Sequence, residues 1–416
     1  MSAGLRAGYK QTEVGVIPED WEVRYLADVS KKITDGDHVT PARTAHGYYL
    51  LSARNVLNGR IDVSDVDYVG FDEYQRMKQR CGPEAGDILI SCSGTIGRVA
   101  VVPSGFECVL VRSAALAKID SDLADGVFLQ FWLQGRKAQA QIASSVNQGA
   151  QPNLFLNHIE RLVCPHPPLA EQRTIASALS DVDALLDGLD RLIAKKQGLK
   201  VAAMQQLLTG QTRLPGFSGE WEMKRLGEIG VFLKGSGVKK DESQSGSLSC
   251  IRYGEIYTRH NDYIKEFHSF ISAEVAATAR RLKKGDLLFA GSGETKTEIG
   301  KCVAFVDDFE AYAGGDIVIL RPLSVDSLYL GFSLNTPSVN QQKASRGQGD
   351  AVVHIGSTAL ADIAVNLPSP PEQTAIAAIL SDMDTELAAL QARRSKTLAL
   401  KQAMMQALLT GRIRLV

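Results

Sequence analysis

Residues 171–214 and 372–415 are the same 44-residue segment written twice. The first reads EQRTIASALSDVDALLDGLDRLIAKKQGLKVAAMQQLLTGQTRL and the second EQTAIAAILSDMDTELAALQARRSKTLALKQAMMQALLTGRIRL, with 22 identities at a constant offset of 201. Solenoid repeats recur every 20–50 residues or so, so a period this long marks duplication of a whole domain-plus-helix unit. Upstream, QTEVGVIPEDWEVRYL (Gln11 to Leu26) matches QTRLPGFSGEWEMKRL (Gln211 to Leu226). GDILISCSGTIGRVAVV likewise parallels GDLLFAGSGETKTEIGKCVAFV, with about two residues inserted around Glu294 in the second copy. Between these anchors the copies diverge. Alike frames around unlike interiors suit a protein that offers two different recognition surfaces from one scaffold.

The repeated segments read as long helices. Each lacks proline after its start, and in the first Ile175, Leu179, Val182, Leu186, Leu189 and Ile193 step by 4, 3, 4, 3, 4, the spacing of a heptad seam. The second copy keeps the seam as Ile376, Leu380, Met383, Leu387 and Leu390, then breaks at Arg394. Gly210 and Gly411 stand where C-terminal caps belong, and the approaches CPHPPLAEQ and LPSPPEQ mark the starts. Two matching seams in one chain predict a mutual coiled coil. The divergent parts read as mixed α/β: short runs such as DILIS, RVAVVP, DLLFAG and DIVIL alternate with glycine turns. The expected division is an N-terminal segment (1–20), a first recognition domain (21–167), a central repeated helix region (168–212), a second recognition domain (213–370) and a C-terminal repeated helix region (371–416).

Composition narrows the class without naming it. An apolar fraction of 44% and a charged fraction of 22% are those of a soluble globular protein. No apolar run approaches the length that spans a bilayer, and MSAGLRAGYKQTEVG lacks the apolar core of a signal peptide. The six cysteines are scattered without a CxxC pair, which predicts neither a zinc site nor a disulfide framework and fits a reducing cytoplasm. The formal charge is −1. Nucleic-acid binders usually carry a basic footprint, so any such function here needs local basic groups or a partner that supplies phosphate contacts.

The two EQ…IA…LS-D-D…LLTG…RL helices, the IPEDWEV entrance and the SGTIGR segment resemble the DNA-specificity subunits of type I restriction-modification enzymes, over nearly the whole chain. GAQPNL, after Gln148, also resembles a family segment near the end of the recognition domain. The resemblance implies two target-recognition domains, each reading one half of a bipartite double-stranded DNA target. It implies that the two helices pack antiparallel as a spacer and dock adenine-methylating modification subunits, and that a restriction subunit with nuclease and translocase activity joins the complex. It implies no cofactor, no metal and no catalytic site in this chain. Duplicated domains on an antiparallel helix pair obey a pseudo-two-fold axis, which fits two DNA half-sites.

Several strings imitate catalysis. Phe289-Ala-Gly-Ser-Gly293 fits a methyl-donor cradle, and Ser369-Pro370-Pro371-Glu372 is close to a methyltransferase loop. That loop, however, ends in an aromatic residue that stacks on the extruded base, and Glu372 stands there. Gly291 to Thr297 suggests a phosphate loop but has Thr295 where the glycine before the lysine belongs. Asp286, Glu294 and Lys296 mimic a nuclease triad, yet the first copy offers only Asp87 with Thr95 and Ile96. A self-contained adenine methyltransferase or nuclease is therefore the weaker alternative, as is a coiled-coil adaptor with two protein-binding domains. A glycine-rich turn approaching phosphate is the better reading of both segments. For base reading, the first domain offers His38, Thr40, Arg43, Arg54, Asn55 and Arg98; the second offers Lys234, Lys239, Lys240, Arg252, Tyr253 and Lys296. Arginine suits guanine and asparagine suits adenine through paired hydrogen bonds.

Overall fold

A computed structural model describes residues 7–146, 152–349 and 352–415. Within the GAQPNL segment, Gly149, Ala150 and Gln151 lie outside the described residues. The chain divides into two compact units, residues 1–190 with 392–416, and residues 191–391. Each unit thus owns one divergent domain, the first part of one long helix and the last part of the other.

The first unit is built on an antiparallel four-stranded sheet, ordered Val99–Val101, Ile88–Ser91, Ala114–Ile119, Ser30–Asp35. Ile88–Ser91 and Ala114–Ile119 are buried almost throughout, so they read as apolar runs rather than alternating ones. Against them pack Phe128, Phe131 and Trp132 from helix Gly126–Gln134, together with Ile175 and Leu179 from the long helix Leu169–Leu207. A second sheet, ordered Cys108–Leu110, Tyr48–Leu51, Asp67–Val69, Arg43–Thr44, has its first two strands parallel.

The second unit repeats this with one change. Its antiparallel sheet runs Gly230–Lys234, Ile317–Pro322, Leu287–Ala290, Cys302–Ala304, the same order as in the first unit. In its second sheet, Leu248–Ile251 again pairs parallel with Ala311–Ala313 and antiparallel with Ser269–Ile271. The fourth strand differs. In the first unit Arg43–Thr44 adds beside Asp67–Val69, whereas in the second Arg280–Arg281 adds beside Ala311–Ala313, the opposite edge. The duplication kept the strand order and moved one rim strand.

The repeated segments form helices Leu169–Leu207 and Pro370–Leu408, which run antiparallel. In the first unit Asp183 pairs with Lys401 at 2.5 Å, and Asp190 accepts from Arg394 Nη2 at 2.9 Å. In the second, Lys196 and Lys200 pair with Glu386 and Asp384, each at 2.7 Å. The arginine that interrupts the apolar spacing, Arg394, is therefore an ion-pair partner at the helix contact. Ile175, Leu179, Leu186 and Leu189 are buried, as are Ile376, Leu380 and Leu387, while Val182, Met383 and Leu390 are half-buried. The leading residues of both seams do more than face the other helix: Ile376 and Leu380 join the domain core of the second unit with Leu207, Leu208, Tyr329 and Phe332.

The paired EQ at each helix start has a defined task. Gln172 Oε1 accepts the Asp125 amide at 2.9 Å, and Gln373 Oε1 accepts that of Asp326 at 2.9 Å. Asp125 and Asp326 then cap the next helix by accepting from Phe128 and Tyr329. Glu171 and Glu372 are buried and receive bidentate arginines from the far end of the other long helix's segment, Arg414 and Arg213. Gly210 and Gly411, both at positive φ, end the helices as caps. A Cβ on Gly411 would lie 2.4 Å from Pro18 Cδ, so only glycine lets the chain turn there.

Candidate nucleic-acid interface

In the first unit, strand Ser30–Asp35 runs out into the loop DGDHVTPAR, and helix Phe71–Arg80 holds that loop in place. Arg76 sits between Asp37 at 2.6 Å and Glu73 at 2.8 Å, and Glu73 also accepts the Ala42 amide at 3.2 Å. Burial works against charge on Asp37, yet the Val39 amide and Arg76 hold its carboxyl below the ordinary value. Arg80 reaches Asp35 at 3.2 Å, and Asp35 also bonds His38 Nε2 at 2.7 Å. His38, Thr40 and Arg43 are exposed on this braced loop.

Arg43 and Arg54 converge on one carboxylate, Asp67, at 3.3 and 3.2 Å. Exposed ion pairs of this kind contribute about 0–1 kcal/mol, so either guanidinium can turn to an external acceptor at little cost. Asn55 lies elsewhere in character. It is 2% exposed, its Oδ1 accepts from Ser52, and its Nδ2 donates to the Asp62 and Asp65 carbonyls. Its amide is consumed inside the protein, so it holds a loop and is not available to a base. Arg98 is half-buried, its amide bonded to Ser91 Oγ at 2.9 Å.

In the second unit, Lys234, Lys239 and Lys240 are exposed at and beyond the end of the corresponding strand, Gly230–Lys234. Arg280 donates to the Lys234 carbonyl at 3.1 Å, and Ser236 Oγ to the Thr278 carbonyl at 2.8 Å, which sets the edge strand Arg280–Arg281 alongside. Arg252 is half-buried at the start of helix Tyr253–Thr258, and Tyr253 is exposed. Lys296 lies on the exposed part of the glycine-rich turn, with Glu294 and Glu298.

Sequence reasoning passed over Arg76, Arg80, Arg280 and Arg281. The signals were present, an arginine pair spaced i, i+4 on one helix face and the doublet in RRLKKGD. What could not be read was that these elements stand beside the loops.

The catalytic look-alikes are occupied by structure. Asp286 is fully buried, accepts two hydrogen bonds from Arg321 at 2.7 Å each, and accepts the Lys283 amide. Asp87 does the same for Glu84 in the first unit, beside Lys118. Glu372 is the buried partner of Arg213, and Phe289 is a core strand residue. A polar cavity of about 520 Å³ in the second unit is lined by Lys200, Tyr257, Asp262, Glu298, Lys301 and Asn335 among others. Its ammonium groups already have partners: Lys200 binds Asp384 and Asp262, and Lys301 donates to the His260 carbonyl at 2.6 Å. Among the described residues no cluster of histidine, cysteine and carboxylates has metal-site geometry, and no helix is long and apolar enough to cross a membrane.

The glycine-rich turn of the second unit ends at Gly300, against a fully buried lysine. Lys343 Nζ donates to the carbonyls of Gly300 and Leu334, both at 2.9 Å. Burial pushes its ammonium down to about 8. In the unfolded chain a lysine keeps its proton to about 10.4. Between those values the unfolded state binds more protons than the folded one, so this group adds stability as pH rises. Compared with Lys343→Met, the native chain should gain on the order of 3 kcal/mol between pH 7 and pH 10. Urea midpoints of the two proteins measured at both pH values check this; a gap that stays constant would be the contrary result.

Two α/β units of one design, carrying different rims and joined through repeated antiparallel helices, define a duplicated recognition scaffold. The model of the type I restriction modification DNA specificity domain matches this chain twice, at residues 18–195 and 218–399, and the chain belongs to that family. It is 22% identical to the type I restriction enzyme MjaVIII specificity subunit of Methanocaldococcus jannaschii, covering 96% of this chain and 94% of that protein. The fold is similar to the crystal structure of a type I restriction-modification S subunit from M. genitalium, with TM-score 0.62, 15% identity and 97% of each chain covered. A second solved chain, from work on assembly and conformational transition of the type I R-M system, gives TM-score 0.56 at 19% identity, covering 95% of this chain and 99% of that one.

Proposed function

We propose that this chain reads a bipartite DNA target on behalf of a type I restriction-modification complex, one half through each recognition domain, and that it performs no chemistry itself. One observation carries the reading: the two units share an interior strand order and differ at the rim, where the fourth strand sits on opposite edges. A shared strand order with a different rim is what two half-sites of different sequence require. Phosphate contacts would set register and base-edge contacts would specify. The contacting groups are His38, Thr40, Arg43, Arg54 and Arg98 in the first domain, with Arg76 and Arg80 bracing the loop. In the second they are Lys234, Lys239, Lys240, Arg252, Tyr253 and Lys296, with Arg280. The helices dock the methyltransferase subunits, and a restriction subunit completes the assembly.

The test is to sequence methylated adenines in cells with and without this gene. A split motif, methylated in both halves, should vanish on deletion. The purified chain should neither transfer methyl groups nor cleave DNA without its partners. Activity that survives rigorous purification and is lost in Glu294→Ala would establish the enzyme alternative instead.

A further inference from the structure

The two glycine-rich turns are tied down at the same place by different residues. In the first unit Gln139 Nε2 donates to the carbonyls of Gly97 at 2.9 Å and Leu133 at 2.7 Å. In the second unit Lys343 Nζ bridges Gly300 and Leu334. The bridged carbonyls correspond: 334 − 133 = 201, the repeat offset, and 300 − 97 = 203, the offset plus the two residues inserted in the second turn. The donors do not correspond. At offset 201 Gln139 aligns with Asn340, and Lys343 aligns with Ile142.

The alignment of these helices is secure in the structure. Gln141 and Gln342, also 201 apart, each make the same two hydrogen bonds, to Val163 and to Ala364. Ile142 also occupies the place of Lys343: a Cβ on Gly97 would lie 3.1 Å from Ile142 Cγ2, and one on Gly300 would lie 3.1 Å from Lys343 Cδ. The bridging donor has therefore moved three positions, about one turn along the same helix face, while its two acceptors stayed. Burying an ammonium is a costly way to satisfy two carbonyls, and the first copy does so with a neutral amide. A link kept through such a change of chemistry is under constraint as a link.

What it constrains is the exit of the turn. Gly97 and Gly300 both have positive φ, and one isoleucine before each, Ile96 or Ile299, separates it from the exposed residues, Gly94 and Thr95 in one unit and Glu294 to Glu298 in the other. We infer that Gln139 and Lys343 are positioning residues that fix where each glycine-rich turn meets DNA, and so sharpen discrimination in the half-site read by their own domain. The inference rests on the proposed DNA-reading function.

The test uses the full chain assembled with its methyltransferase partner, and methylation rates on the native target and on duplexes with single base changes in each half. Lys343→Met should lower discrimination about tenfold in the half read by the second domain, the low end of what one well-placed base contact contributes. Discrimination in the other half should be unchanged. Gln139→Leu should do the reverse. The double variant Asn340→Gln with Lys343→Ile installs the first copy's arrangement in the second and should restore discrimination, with thermal melting to verify folding. Wild-type discrimination in both halves by Lys343→Met, equal loss in both halves, or a folded double variant without restoration would each overturn the inference. If Lys343→Met does not fold, the Gln139→Leu and double-variant arms decide it by the same criteria. A wild-type complex that discriminates neither half would instead overturn the DNA-reading function.

Discussion

Replacing residues 221–367 with the second recognition domain of another family member is expected to change one half of the methylated sequence completely and leave the other half as it was. Each unit has its own clusters of buried side chains, and the segment to be exchanged brings most of its core with it, while Leu207, Leu208, Ile376, Ala377 and Leu380 stay behind on the long helices. The cut points also suit the exchange. The ladder between Glu222–Arg225 and Ala364–Leu367 travels whole inside the insert, while Arg213, Glu372 and Gln373 remain to receive it. Gln373 addresses backbone groups, the Asp326 amide and the Pro368 carbonyl. At the Gln373 contacts an incoming domain needs only the same backbone path, and against Leu207, Leu208, Ile376 and Leu380 it needs an apolar face. Sequencing of methylated adenines reads the result. New bases in both halves would mean that the domains do not read independently.

Arg414→Met is expected to destabilise the first unit by roughly 3–5 kcal/mol, the range measured when one partner of a buried ion pair is removed. Arg414 donates to both oxygens of Glu171, to Oε2 at 2.7 Å, and to both oxygens of Asp20 at 2.9 Å. Glu171 is 4% exposed, and without the arginine it would keep one side-chain donor, Trp21 Nε1 at 3.1 Å. Removing the guanidinium therefore strands a buried carboxylate, which costs more than the pair itself contributes. Arg213→Met should likewise loosen the second unit, where Glu372 is fully buried and bonded twice at 2.6 Å. Lysine at either position would keep the charge and lose the two-pronged geometry, with an intermediate loss. Urea unfolding with amide exchange resolved by residue measures both size and location. A change below about 1 kcal/mol, the level of an exposed pair, would show that these arginines are surface decoration. So would loosening in the wrong unit.

How far the sequence could be read depended on whether a feature repeats locally. The helix seam was legible because burial follows the 3.6-residue period, and Leu179, Leu186, Leu380 and Leu387 are buried as that period requires. The caps Gly210 and Gly411 were legible because positive φ selects glycine. Candidate DNA-contacting residues were legible only by type. Arg43 and Asn55 look equally suited to base edges on paper, yet Arg43 is exposed and Asn55 spends its amide on three backbone or side-chain partners. Nothing within a few residues of either distinguishes them.

The sequence alone determined the duplication, the helices with their starts and stops, and the family frame, because each of these rests on contacts or conformations set by neighbouring residues and by a repeated pattern. The tertiary structure alone decided what the long-range partners do. It assigned the EQ pair its arginine and backbone partners, gave the catalytic look-alike Asp286 its task as a buried strut, and placed Arg76 and Arg80 behind the first loop. It also put the fourth strand on opposite edges of the two second sheets, and let Lys343 take over the task of Gln139. Those outcomes depend on groups dozens to hundreds of residues apart in the chain meeting within about 3 Å, the range of a hydrogen bond, and no local spacing encodes such a meeting.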